Sequence, residues 1–84
     1  MLSIYTTSWC GYCIRLKRQL EEAGLAHRTV DIEQDPEAER IVRAANNGNA
    51  TVPTVVFADG TVLTNPSLRQ VTEKVTPPYK GYKE

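Results

Sequence analysis

Apolar positions over the first three quarters of the chain switch repeatedly between a period of two and a period near 3.6. Leu2-Ser3-Ile4-Tyr5-Thr6 alternates and is rich in strand formers, whereas Cys13, Leu16, Leu20 and Ala23 recur at helical spacing until Gly24 supplies a stop. His27 to Ile32 predicts a second strand with Val30 and Ile32 on one face, and Asp35-Pro36 then reads as an N-cap followed by proline at the first helical position. The stripe Ala38, Ile41, Val42 and Ala45 predicts a buried helix face that ends in Asn46-Asn47-Gly48-Asn49. Thr54 to Ala58 and Thr61 to Leu63 are short strand patterns, and the Asp59-Gly60 between them suits a two-residue type I′ hairpin turn. Asn65-Pro66 repeats the N-cap and proline signal before a helix carrying Leu68, Val71 and Val75, which Pro77-Pro78 stops.

The predicted order is βαβαββα. An α/β chain of this kind needs a parallel crossover for its first strands and antiparallel pairing for its hairpin, giving one four-stranded mixed sheet with helices on both faces. Residues 1–75 form the expected domain and 76–84 a flexible C-terminal tail. At 84 residues the chain suits one domain that buries roughly two-thirds of its unfolded surface. Ten lysines and arginines balance ten aspartates and glutamates, so no overall field favours nucleic acid or an anionic membrane. No apolar run approaches the ~20 residues that cross a bilayer, and no leader pattern opens the chain. The expectation is a soluble, cytoplasmic monomer.

The two cysteines carry the candidate chemistry. Cys10 and Cys13 are too close for a disulfide between them to remove much chain entropy, so a structural staple is a poor explanation. Cys10 falls where strand gives way to helix, facing unpaired backbone N–H groups and the positive end of the helix dipole. That placement favours the thiolate, the attacking species in disulfide exchange, over a free thiol of pKa ~8.5. Cys10 is therefore the expected nucleophile. Cys13, about one turn further in and on the apolar stripe, is the expected resolving thiol, more buried and higher in pKa. Two cysteines and one histidine fall short of the four ligands of a zinc site, so no metal is expected. Arg15, Lys17 and Arg18 precede Glu21 and Glu22 along the helix, against the macrodipole and in the weaker order for i,i+4 pairing. A positive patch near Cys10 is one reading of that arrangement; a solvated face is the other.

The strand Ser3-Ile4-Tyr5-Thr6, the Cys10-Gly11-Tyr12-Cys13 motif and Thr51-Val52-Pro53 together resemble the glutaredoxin-like branch of the thioredoxin superfamily over about residues 2 to 75. The resemblance implies a thioredoxin/glutaredoxin fold and a thiol-disulfide oxidoreductase. It also implies that the bond before Pro53 is cis, that the Thr51-Val52-Pro53 segment pairs with an extended substrate backbone through Val52, and that Tyr12 flanks the bound thiol. Trp9 either shields the nucleophile or packs. Glutathione-using members carry a basic residue shortly before the first cysteine and a glycine pair near the last helix; here Thr6-Thr7-Ser8-Trp9 and Leu63-Thr64-Asn65-Pro66-Ser67 stand instead.

Those departures, with Thr-Thr-Ser-Trp-Cys-Gly-Tyr-Cys at 6–13 and Thr-Asn-Pro-Ser at 64–67, are most similar to the actinobacterial mycoredoxins. That similarity implies mixed-disulfide protein substrates, no bound cofactor, and mycothiol rather than glutathione as co-substrate, with Tyr12, Asn65 and Ser67 facing its hydroxyl-rich body. Three rivals stay open. One is a redoxin fed by thioredoxin reductase that supplies ribonucleotide reductase. Another is a glutaredoxin bridging a [2Fe–2S] cluster between two subunits, which Gly11 permits. The third is an interaction module built on Pro77-Pro78-Tyr79. His27 reads as a surface residue at a strand start.

Overall fold

The computed structural model describes residues 2–75; the expected tail at 76–84 lies outside the described residues. Strand β1 (Leu2–Thr6) pairs on one side in parallel with β2 (His27–Asp31), in the register Leu2↔His27 to Thr6↔Asp31. On its other side β1 runs antiparallel to β3 (Thr54–Val56), which pairs antiparallel with β4 (Val62–Thr64). The sheet order is β2-β1-β3-β4, the mixed four-stranded sheet that the sequence predicts.

Alternation along β1 sends its side chains into two separate cores. Leu2 and Ile4 pack with Leu16 and Leu20 of α1 (Gly11–Glu22), with Val55, and with Val71 of α3 (Leu68–Lys74). Tyr5 faces the other way, into a smaller cluster with Ile32 and with Ala38 and Val42 of α2 (Pro36–Ala45). Helices α1 and α3 thus cover one face and α2 the other. Leu20, Ile4, Val55 and Val71 are fully buried, each contributing about 1.5–3 kcal/mol of transfer free energy.

Local chemistry explains most element ends. Asp35 caps α2 by accepting the Glu37 and Ala38 N–H groups at 3.1 and 3.2 Å, with Pro36 at the first helical position. Gly24, at φ +74°, ends the chain's exit from α1 in the left-handed region.

Three expectations need correction. The buried stripe of α2 is only Ala38 and Val42; Ile41, turned about 100° from Val42 around the axis, is exposed, as is Ala45 in the last turn. The hairpin has no two-residue type I′ turn, which would require Asp59 and Gly60 both at positive φ. Only Gly60 is, at +92°, and the Gly60 N–H donates to the Phe57 carbonyl while the Phe57 N–H donates to Thr61. The loop is therefore Ala58-Asp59-Gly60, a turn closed by a left-handed glycine, and the strands stop at Val56 and start at Val62. Finally, α3 begins two residues later than Asn65-Pro66 suggests. The Asn65 N–H is taken by the Pro53 carbonyl at 2.7 Å and its φ is +48°, unlike the extended backbone of an N-cap. Ser67 caps instead: its hydroxyl accepts the Gln70 N–H at 3.1 Å and the Gln70 side chain accepts the Ser67 N–H at 2.8 Å.

Ser67→Ala accordingly lowers stability by about 1 kcal/mol, a fall in Tm of roughly 4–8 °C for a domain this small. Asn65→Gly, which suits a positive φ, leaves Tm unchanged or slightly higher. Thermal unfolding followed by circular dichroism ranks the two, and a Ser67→Ala variant as stable as its parent would remove the assigned cap.

Candidate active site

The C-terminal end of β1 carries the chain through Thr6 and Thr7, both buried, to Cys10 at the mouth of α1. Cys10 is the N-cap residue, extended at φ −86° and ψ 111°, and its Sγ accepts the Cys13 N–H at 3.1 Å. A sulfur thus fills the place usually taken by a serine or aspartate oxygen. Cys10 keeps 5% of its surface exposed and Cys13 none, and the two thiols are not joined by a disulfide.

Cys13 occupies the inward face of α1 one turn above Leu16 and Leu20. Burial pushes its thiol up to about 11, with the Cys10 side chain adding to the shift; the Thr7 N–H and the Thr6 hydroxyl pull the other way and lose. The Thr7 hydroxyl is itself buried with no hydrogen-bond partner among the described residues.

The opposite wall is the 51–53 segment. The Val52–Pro53 peptide is cis, as the resemblance implied. Pro53 is fully buried, and the Val52 carbonyl lies 4.0 Å from Cys10 Sγ, within reach of the S–H. Thr51 contributes its carbonyl, which accepts the Thr54 hydroxyl at 2.7 Å. Sequence reasoning missed the residue that organises this wall. Asn46, read as part of a helix stop, donates through Nδ2 to the Val42 carbonyl at 2.8 Å and to Thr54 Oγ1 at 3.2 Å, and accepts the Thr64 hydroxyl at 2.6 Å. It ties the end of α2 to β3 and β4 directly behind Thr51. An asparagine after a helix is so common as a stop that no local signal marks this second use.

The remaining candidates sit at the rim. Trp9 and Tyr12 are 69% and 63% exposed, and Trp9 does not pack inward: its indole N–H donates to Glu33 at 2.9 Å. Asn65 reaches the site through its backbone bond to Pro53, while Ser67 spends its hydroxyl as the acceptor that caps α3. Arg15, Lys17 and Arg18 form no ion pair among the described residues, where the pairs lie on α2 and α3. No group of three histidine, cysteine or acidic side chains converges on a possible metal position among the described residues, and no described helix is long and apolar enough to cross a membrane.

A mixed βαβαββα sheet with a Cys-x-x-Cys pair at the start of its first helix, facing a cis-proline, defines a thioredoxin-like redox protein. A glutaredoxin sequence profile matches residues 2–63. The chain is 55% identical over 74 residues to a candidate glutaredoxin of Mycobacterium tuberculosis (strain H37Rv), covering 88% of each. It is 42% identical over 74 residues to Mycoredoxin 1 of Corynebacterium glutamicum, covering 88% of this chain and 91% of that one. Among solved structures, NrdH-redoxin of Escherichia coli, described as glutaredoxin-like with a thioredoxin-like activity profile, superposes with a TM-score of 0.76 at 25% identity over 92% of this chain and 97% of that one. A buckwheat glutaredoxin–glutathione complex gives 0.64 at 29% identity, covering 88% and 66%. The chain belongs to the glutaredoxin family, whose general activity is thiol-disulfide exchange.

The raised Cys13 pKa makes a signed prediction. Its folded-state value exceeds that of an unfolded thiol, so the folded state binds the proton more tightly. The resulting stability is intact below the unfolded value near ~8.5 and is lost as pH climbs through about 11. In Cys10→Ser protein, alkylation of Cys13 by iodoacetamide therefore stays slow at pH 8 and accelerates only towards pH ~11. Mass spectrometry of the alkylated thiol against pH reads this, and half-maximal reactivity near pH 8 would contradict the burial argument.

Proposed function

We propose that the protein reduces mixed disulfides between proteins and a low-molecular-weight thiol, with Cys10 as nucleophile, Cys13 as resolving thiol and mycothiol as the co-substrate. The observation that carries this reading is the asymmetry of the pair: Cys10 Sγ at a helix N-terminus accepts the Cys13 N–H at 3.1 Å, while Cys13 is fully buried behind it. The cap geometry holds the Cys10 sulfur at the mouth of α1, where an incoming disulfide meets it first, and burial keeps Cys13 protonated until it is needed.

In the first step the Cys10 thiolate attacks the small-thiol sulfur of the mixed disulfide. A new S–S bond joins Cys10 to the thiol, the old bond breaks, and the client protein leaves as a thiolate that takes up a proton. A second molecule of thiol, as thiolate, then attacks the small-thiol sulfur of that intermediate, restoring Cys10 and leaving as the thiol's own disulfide. In the alternative second step Cys13 loses its proton and attacks Cys10 Sγ, expelling the small thiol and forming the Cys10–Cys13 disulfide for an external reductant.

The unpaired Val52 N–H, which has no partner among the described residues, and its carbonyl beside Cys10 give an extended substrate main chain two groups to pair with. Exposed Trp9 and Tyr12 offer aromatic faces to the small thiol, and Asn65 and Ser67 offer hydroxyl-compatible polar groups without the charges of a glutathione clamp. The absence of a basic residue before Cys10, and the likeness to Mycoredoxin 1, favour mycothiol over glutathione. The chemistry suits a reducing, cytoplasmic compartment, and the site is complete in one subunit. A second reading, a redoxin reduced directly by a disulfide reductase, is favoured by the likeness to NrdH-redoxin.

One coupled assay separates them: NADPH consumption with a mixed-disulfide client is followed with mycothiol and its reductase, with glutathione and its reductase, or with thioredoxin reductase alone. The mycothiol arm is expected to be fastest by at least tenfold. Cys10→Ser abolishes turnover, whereas Cys13→Ser retains it through the second thiol. Activity with thioredoxin reductase alone would replace the mycothiol assignment with the second reading.

A further inference from the structure

The rim of the site contains a contact that the exchange chemistry leaves unused. β1 and β2 run in parallel register to Thr6↔Asp31, and the Ile32 N–H continues the pairing by donating to the Thr6 carbonyl at 3.0 Å. This brings the turn after β2 alongside the segment that leads to Cys10. The Asp31 carboxylate accepts the Glu33 N–H at 2.9 Å, and the Gln34 N–H donates to the Asp31 carbonyl at 3.0 Å, fixing the turn. Glu33 then reaches across to accept the Trp9 indole N–H at 2.9 Å, joining residues 24 positions apart. Glu33 is exposed and has no ion-pair partner among the described residues, so its charge is free. Asp31 and Asp35, on either side of it, also lack ion pairs among those residues but spend their carboxylates on backbone N–H groups, whereas Glu37 and Glu39 on the adjacent helix are paired with Arg40 and Arg43.

We propose that Glu33 is a specificity-determining residue: it fixes the Trp9 indole beside Cys10 and, unlike its neighbour Asp31, whose carboxylate holds the turn, carries its negative charge to the tryptophan at the rim, favouring neutral and cationic disulfides over anionic ones. The inference rests on Cys10 being the attacking thiol. A tryptophan indole left unpinned at this level of exposure would sample several rotamers; one strong hydrogen bond to a carboxylate selects among them. The same carboxylate repels a substrate carboxylate arriving at the adjacent residue. The cations Arg15, Lys17 and Arg18 lie one to two turns further along α1 and form no ion pair with Glu33. A hydroxyl-rich neutral thiol loses nothing against such a rim, whereas a thiol with free carboxylates does.

The test uses the reduced full chain in single-turnover exchange with cystamine, hydroxyethyl disulfide and dithiodiglycolate, which are cationic, neutral and anionic. The halves of cystamine and dithiodiglycolate that meet Cys10 differ by two charges, and one rim charge changes rates on the order of twofold per unit of substrate charge at low salt. Glu33→Gln keeps an acceptor for the indole and removes the charge; the cystamine to dithiodiglycolate rate ratio is expected to fall about fourfold, with the loss shrinking at high salt. Glu33→Ala should show the same loss and, in addition, reduced fluorescence anisotropy of Trp9, the sole tryptophan. Glu33→Gln should retain that anisotropy. An unchanged ratio in Glu33→Gln, or unchanged anisotropy in Glu33→Ala, would overturn the proposal while leaving the redox reading intact. No exchange with any of the three disulfides would overturn both. Because mycothiol takes no part, a different physiological thiol does not affect the outcome.

Discussion

A single hydrogen bond, from the Cys13 N–H to Cys10 Sγ, fixes the relation on which the site depends. An N-cap must accept a backbone N–H from the first turn, and meeting that requirement with sulfur places one thiol at the end of the helix dipole. Helix geometry settles the fate of the other. Three positions on, Cys13 lies on the face that continues through Leu16 and Leu20 into the core with Ile4, Val55 and Val71. One thiol therefore sits at the helix mouth, nearly covered but next to the chain's outer rim, and the other is sealed beneath it with its proton retained. The inequality follows from the helix register, and moving the start of α1 by one residue would destroy it.

The facing wall is built by different physics. Apolar packing seats α1, but the Thr51-Val52-Pro53 segment is held by polar links converging on Asn46 and Thr54. Each of these bonds contributes on the order of 1 kcal/mol, and leaving a partner unsatisfied costs more. A network of this kind specifies one position for the Val52 backbone more sharply than apolar contacts would, because hydrogen bonds are directional. The arrangement places a precise main-chain edge next to Cys10 Sγ.

The parts of this design that were readable in the sequence are those that local pattern encodes. The alternation of Leu2 to Thr6, the 3.6-residue spacing of Cys13, Leu16 and Leu20, and the Asp35-Pro36 start each report a period or a cap within a few residues. Signals shared by two local structures were misread: Asn65-Pro66 suits both a turn and a helix start, and the bond from the Asn65 N–H to Pro53 decided for the turn. Asp59-Gly60 likewise occurs in two-residue and three-residue hairpin loops, and the strand register chose the latter. Asn46 and Glu33 were not readable as site residues at all. The partners that give them their place at the site, Thr54 and Thr64 for Asn46 and Trp9 for Glu33, lie 8 to 24 positions away, and only the assembled sheet brings them together.

This division also explains why the reaction is better determined than its small-molecule partner. The thiol pair is embedded in the core and cap of α1, so altering it costs folding energy as well as chemistry. The side chains proposed to meet the small thiol are all exposed, and apart from the α3 cap Ser67 they, Trp9, Tyr12, Glu33 and Asn65, hold no helix end in place. Exposed side chains away from such features usually change stability by only about 0.5 kcal/mol or less. They can vary without disturbing the cysteines, so proteins sharing one exchange mechanism can diverge in the thiol they accept. Where two such proteins differ in the charge and shape of this rim, the difference falls on the on-rate and orientation of the incoming disulfide rather than on the sulfur chemistry beneath it.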